Sequence, residues 1–183
     1  MRVAIHQPNF VPHLGFFYKM SQSDIFVLLT QVQFEKNGYQ NRYYLHRQSK
    51  WVTKPVCSGA ESIYQKEYIG GQNLAALNIQ FILWAKDVLN IDTEISMDVP
   101  SNNSGTQRLI DNLNFYGATK YITNPSAKDK YLDENLIRKA GIDIEYSDCP
   151  NAKLNILECF EEFGIEGTRK QLWKPRNISV EKN

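Results

Sequence analysis

Three stretches of this 183-residue chain gather side chains that can move protons or hold phosphates. The first is His6-Gln7-Pro8-Asn9-Phe10-Val11-Pro12-His13-Leu14-Gly15. Two imidazoles and two amides this close together can shuttle a proton and orient a polar substrate. A helix opening after His13 would also present backbone N–H groups to an anion. His6 and Asn9 are therefore the candidate catalytic residues, with Gln7 and His13 as substrate-binding candidates. The plain alternative is a strand cap, a solvated His13 and a turn shaped by prolines.

The second stretch runs from Gln31-Val32-Gln33-Phe34 to Tyr39-Gln40-Asn41-Arg42. Alternation puts Gln31 and Gln33 on one face of a strand end, where amides can read a sugar or base edge. Asn41 is a further substrate-binding candidate, and Arg42 can clamp a phosphate bidentately. A solvated sheet edge would present the same residues. The third is Thr123-Asn124-Pro125-Ser126-Ala127-Lys128-Asp129. Ser126 and Lys128 in a small-residue turn can form a phosphate nest, with Arg108 added from the start of the preceding helix. The turn lacks the glycines and the GK[ST] ending of a P-loop, and no GxSxG, HExxH or GxGxxG occurs in the chain. Cys57 would be a nucleophile if His6 or His13 approached it, but a lone cysteine more often fills apolar space.

The elements that must position these residues alternate between two periods. Arg2–His6 is a β-branched run that reads as a buried strand, and residues 16–23 read as a short helix. Residues 24–34 begin apolar and end in alternation, as a second strand reaching the surface would, with Asp24 organising the turn before it. Residues 35–71 are irregular, part strand and much loop. In residues 73–90, Leu74, Leu77, Phe81, Trp84 and Val88 recur at helical spacing, with Ile82 and Leu89 widening the stripe. Strands over 93–99, 120–123 and 143–146 alternate with helices over 106–117, 133–140 and 155–163, each closed by a glycine. This order predicts an α/β, doubly wound, mostly parallel Rossmann-like sheet of about five strands with helices on both faces. One domain is expected over residues 1–168, followed by an arm over residues 169–183.

Lys+Arg 21 against Asp+Glu 20 leaves a net charge of +1, which argues against a protein built to grip long nucleic acid. No apolar run reaches the roughly 20 residues of a membrane span. The opening MRVAIHQPNF has no signal-peptide pattern, so a cytoplasmic protein is expected. Cys57, Cys149 and Cys159 have neither disulfide-framework nor zinc-site spacing, so no structural metal is expected.

The opening Val3-Ala4-Ile5-His6-Gln7-Pro8-Asn9-Phe10, with Pro12, Leu14-Gly15-Phe16-Phe17 and Lys19, resembles the signature of the WbqC-like family. So do Ser23-Asp24 with Phe26-Val27, then Val32-Gln33-Phe34 and Tyr39-Gln40-Asn41-Arg42. The stretch Tyr121–Asp129 with Tyr131-Leu132, and Asn155-Ile156-Leu157-Glu158-Cys159, are similar to the family's later motifs. Two departures stand out: a shortened middle between Trp51 and Asn73, and His13 where the family carries tryptophan. The resemblance implies bacterial surface-polysaccharide pathways, especially O-antigen clusters, alongside enzymes that make amino sugars.

Three functions fit the residues. The first is transfer of an acyl or aminoacyl group to a nucleotide-linked amino sugar, from acyl-CoA or an acyl or aminoacyl carrier protein. There His6 acts as base, Asn9 and Gln33 orient the sugar, and Arg42 and Lys128 hold phosphate. The second is a nucleotidylyltransferase, since Pro12-His13-Leu14-Gly15 is loosely similar to an HxGH motif with Phe16 in place of its second histidine. The third is a non-catalytic binding subunit of the pathway. A homo-oligomer is compatible with all three.

Overall fold

The computed structural model describes residues 1–57, 67–68, 71–149 and 151–172. The strands are β1 (Arg2–His6), β2 (Ile25–Leu28), β3 (Arg42–Leu45), β4 (Lys50–Thr53), β5 (Glu67–Tyr68), β6 (Gln72–Asn73), β7 (Glu94–Met97), β8 (Lys120–Thr123) and β9 (Asp143–Tyr146). The helices are α1 (Leu14–Ser21), α2 (Leu74–Val88), α3 (Gly105–Phe115), α4 (Glu134–Lys139) and α5 (Ile156–Leu172). Most of the shortened middle and all of the arm beyond Leu172, Trp173 included, lie outside the described residues.

Five strands form one all-parallel sheet in the order β7-β2-β1-β8-β9. The chain winds outward from β1 through β2 to β7, then crosses back to β8 and winds the other way to β9. This is the expected doubly wound α/β fold. Alternation along the strands sorts the core into two layers. Ala4, Phe26, Leu28 and Ile122 pack with α1, α2 and α5, while Val3, Ile5, Val27 and Tyr121 pack with α3 and α4. The hairpin of β3 and β4 stands apart from the sheet.

Several elements differ from their expected bounds for identifiable reasons. The second strand stops at Leu28 rather than continuing to Phe34. The buried Asp98 carboxylate takes the Thr30 N–H at 2.8 Å and hydroxyl at 3.0 Å, which peels the chain off the sheet. In α2 the buried face is Leu74, Asn78, Ile82, Ala85 and Leu89, while Trp84 is 48% exposed. The expected stripe is out of phase because a polar residue occupies the core face. Asn78 donates to the carbonyls of Pro8 at 2.8 Å and Gln40 at 2.7 Å. Gly164 (φ 66°, ψ 174°) breaks α5 where the expected helix closes, and a second helical segment follows it. In that segment the Thr168 hydroxyl donates to the Cys159 and Gly164 carbonyls at 3.0 and 2.7 Å, and the helix runs on to the buried Leu172. The first four residues of the expected arm are therefore helical.

Lys19 is the anomaly of the core. It is 2% exposed on α1, its ammonium donates to the Ile5 carbonyl at 3.0 Å and it lies 5.6 Å above the Phe26 ring. No carboxylate is paired with it among the described residues. Burial lowers its pKa from 10.5 to about 7. The unfolded chain therefore binds a proton at Lys19 that the folded chain does not, between about pH 7 and the ordinary lysine range. Stability contributed by this residue should rise with pH across that window, by up to about 1.4 kcal/mol per unit. Denaturant titrations of wild type and Lys19→Met should converge as pH climbs from 7 to 10. Parallel curves would show that Lys19 is already solvated or paired.

Candidate functional site

β1 and β8 are neighbours whose following loops leave in opposite directions, to α1 on one face and towards α4 on the other. A sheet of this kind opens a crevice beyond the carboxyl ends of those two strands. His6 closes β1 and Thr123 closes β8, so the first and third polar stretches meet there.

The His6 ring packs edge-on against Phe16 of α1, with centroids 5.0 Å apart. Its Nδ1 lies 2.9 Å from the Gln7 carbonyl oxygen. A carbonyl can only accept, so Nδ1 carries the hydrogen and Nε2 keeps its lone pair. Burial above all, then the nearby Lys19 charge, lowers the His6 pKa to about 3. His6 is thus neutral at physiological pH, with a defined tautomer.

Two cavities adjoin at this imidazole, and His6 is the only described residue lining both. The smaller, about 360 Å³, lies on the α1 side and carries Asn9, His13, Ser126 and Ser147. Asn9 is 8% exposed and its amide makes no hydrogen bond among the described residues. The Ser147 hydroxyl is likewise buried without a partner among them. His13 caps α1 positionally, with no side-chain bond to the helix, and its ring meets Tyr39 edge-on at 4.8 Å. Burial first, then His46, lowers its pKa to about 4, against an upward pull from Glu158. The larger cavity, about 550 Å³, lies on the α3 side, lined by Gln7, Tyr39, Gly105, Arg108, Tyr121 and Lys130 among others. Arg108 is held at 2.8 Å by Asp98.

The remaining candidates sit elsewhere. Gln31 donates to the Asp98 carbonyl at 3.2 Å, and the Gln33 carbonyl accepts from Gln40 at 3.3 Å; neither lines a cavity. Asn41 stitches the β3–β4 hairpin through the Lys54 carbonyl at 2.9 Å. Arg42 lies 4.0 Å above the Trp51 ring and donates to Asn37, a residue on the lining of the larger cavity, without lining either cavity itself. Lys128 pairs with Glu134 at 3.2 Å over an open depression on the outer surface. Cys57 is exposed and outside both cavities.

The site also contains residues that sequence reasoning does not single out. Lys19 has a signal, a charge inside the apolar run Phe16–Met20, and Lys130 has none beyond its charge. Gly105, Tyr121 and Ser147 reach the crevice only through the packing of separate elements.

The lowered pKa values of both histidines carry a sign. The unfolded chain takes up protons near pH 6.5 and the folded chain only near 3 or 4, so this stabilising contribution is complete above 6.5 and lost as pH falls. Melting temperatures measured from pH 7 to pH 4 should fall less steeply in His6→Gln and His13→Gln than in wild type. Equal slopes would mean that the rings are not buried neutral.

No described helix is long and apolar enough to cross a membrane. No solved structure matches the chain. A protein described as uncharacterized protein Rv1507c, from Mycobacterium tuberculosis, is 23% identical over 192 residues, covering 80% of this chain and 82% of that protein. The model of the WbqC-like protein family matches residues 7–69 and 58–155, a span that takes in the loop after β1, most of the lining of both cavities and the whole central sheet beyond β1, with His6 just before its start. With most of its length matched, the chain belongs to the WbqC-like protein family.

Proposed function

We propose that this protein transfers an acyl or aminoacyl group to the amine of a nucleotide-linked amino sugar in surface-polysaccharide (O-antigen) biosynthesis. One observation carries the reading: His6 lines two cavities, one on the α1 side of the sheet and one on the α3 side. That is the arrangement a two-substrate reaction needs, because donor and acceptor must meet at one atom without sharing a pocket.

In this scheme the amino sugar enters the larger cavity and the acyl thioester, from CoA or a carrier protein, the smaller one. The free amine attacks the thioester carbonyl, the C–N bond forms, and the C–S bond breaks to release the thiol. His6 Nε2 accepts the hydrogen bond from the attacking amine, takes its proton as the nitrogen becomes cationic and passes that proton to the departing sulfur. The Asn9 amide, buried and unbonded among the described residues, polarises the thioester carbonyl. The low basicity of His6 means that the amine arrives neutral, and an anionic group bound nearby would strengthen the base. Arg42 and Lys128, expected from the sequence to hold phosphate, give way to Arg108 and Lys130.

The nucleotidylyl alternative has one feature in its favour, His13 at the start of α1 with no side-chain cap. Against it, Phe16 fills the place of the second histidine and packs on His6.

The test is a reconstituted assay with amino-sugar nucleotides and acyl thioesters. General-base removal in His6→Ala should lower kcat by about 10²–10⁴-fold, leaving substrate affinity within a few-fold of wild type. Arg42→Ala and Lys128→Ala should keep near-normal turnover. Full activity in His6→Ala would overturn the assignment, and pyrophosphate release from a nucleoside triphosphate would favour the alternative.

A further inference from the structure

The N-terminus of α3 opens into the larger cavity with its hydrogen-bonding capacity unused. Ser104 stands at the N-cap without a side-chain bond, and the first turn carries no acidic residue. The N–H groups of Gly105, Thr106 and Gln107 donate to nothing among the described residues. Gly105 enters the helix at φ 56°, and an added Cβ there would meet nothing within 4 Å, so the backbone faces open space.

Three further observations surround that helix end. Arg108 keeps only 15% of its side chain exposed, and one nitrogen is anchored by Asp98 while the buried Nε has no partner among the described residues. Asp98 itself is saturated by Thr30, Gln31 and Arg108, so it fixes the guanidinium in place. Lys130 lines the same cavity and forms no ion pair among the described residues. The Tyr121 hydroxyl, fully buried against the cavity, makes no well-formed hydrogen bond among them, with Thr123 and Tyr131 nearest to it. Glu35 is the single carboxylate on the described lining.

We infer that the first turn of α3, Arg108 and Lys130 form a diphosphate site inside the larger cavity. Orphan amides and the helix dipole suit one phosphate group, and a fixed guanidinium with a long-stemmed ammonium suits the other. The inference rests on the two-substrate reading above for the assignment of its ligand. A diphosphate reaches such an enzyme from the nucleotide-linked sugar or from CoA. The larger volume and its place opposite Asn9 assign it to the sugar nucleotide.

Inorganic pyrophosphate is the first probe, followed by UDP and CoA, each titrated by calorimetry into the full chain. Pyrophosphate should bind and weaken with added salt. Lys130→Ala and Arg108→Lys, which keeps Asp98 paired, should each raise the pyrophosphate Kd by about tenfold. Lys128→Ala should leave it unchanged. Tyr121→Phe, which removes a buried hydroxyl without a well-formed bond, should fold normally and weaken UDP. UDP should respond to the same variants as pyrophosphate and CoA should not; the reverse pattern would overturn the assignment to the sugar nucleotide. Absent pyrophosphate binding, or binding indifferent to Lys130 and Arg108, would overturn the site itself. Diphosphate binding without acyl transfer would leave the site standing and remove the transferase reading.

Discussion

The amide of Asn78 holds the crevice together. Its two hydrogens go to two carbonyls from distant parts of the chain, Pro8 in the loop after β1 and Gln40 in the approach to β3. Gln40, fully buried, extends the network to the Gln7 side-chain oxygen at 3.1 Å and to the Glu35 N–H at 2.6 Å. Each such bond contributes only about 1 kcal/mol net, but a buried carbonyl left without its donor costs about 1–3 kcal/mol. The network is therefore selective rather than merely stabilising. It admits one path for residues 7–10, the path that leaves His6 at the crevice and Asn9 facing the smaller cavity.

A further constraint lies directly beneath. Lys19 is buried against the end of β1, and its charge adds to desolvation in keeping His6 neutral. A buried ammonium without a carboxylate is an unusual choice for a core, since methionine would fill similar space at lower cost. The pKa of about 7 leaves Lys19 partly charged at neutral pH, and in its protonated form it favours an anion next to His6. The protonation of His6 and Lys19 is thus coupled to what occupies the cavities.

The central sheet is legible in the sequence because its strands are short apolar runs between amphipathic helices closed by glycine, and each signal is local. What the sequence conceals is produced by contacts between distant segments. The α2 stripe reads one step out of phase because Asn78 has the character of a surface residue until its two acceptors are known. Gly164 breaks a helix as its signature implies, and what stays hidden is the second segment beyond it, where Thr168 donates back to the Cys159 and Gly164 carbonyls. The Gln31 and Gln33 alternation survives as exposure without a strand, since Asp98 pulls the chain away after Leu28. Of the three polar stretches, the one containing His6 stands at the strand exit its sequence implies. The stretch from Gln31 to Arg42 has the composition of a binding edge because the same amides that read a sugar can also pair with backbone.

That ambiguity separates two roles within the residues that carry the family resemblance. Gln40 and Asn41 spend their amides on the protein's own backbone and side chains, Gln7 accepts from Gln40 through its side-chain oxygen, and Arg42 spends its planar face on Trp51. Asn9, one amide among several in the same motif, makes no such bond among the described residues and faces a cavity. Similar groups thus divide into those that shape the loop and those, Asn9 and the amide nitrogen of Gln7, that line a cavity with bonding capacity left among the described residues. A side chain already satisfied by its own fold must break a bond to hold a substrate, whereas an unpartnered buried amide gains one. On that physical ground Asn9, beside the neutral His6, is open to a ligand, while Gln40 and Asn41 carry the geometry of the motif.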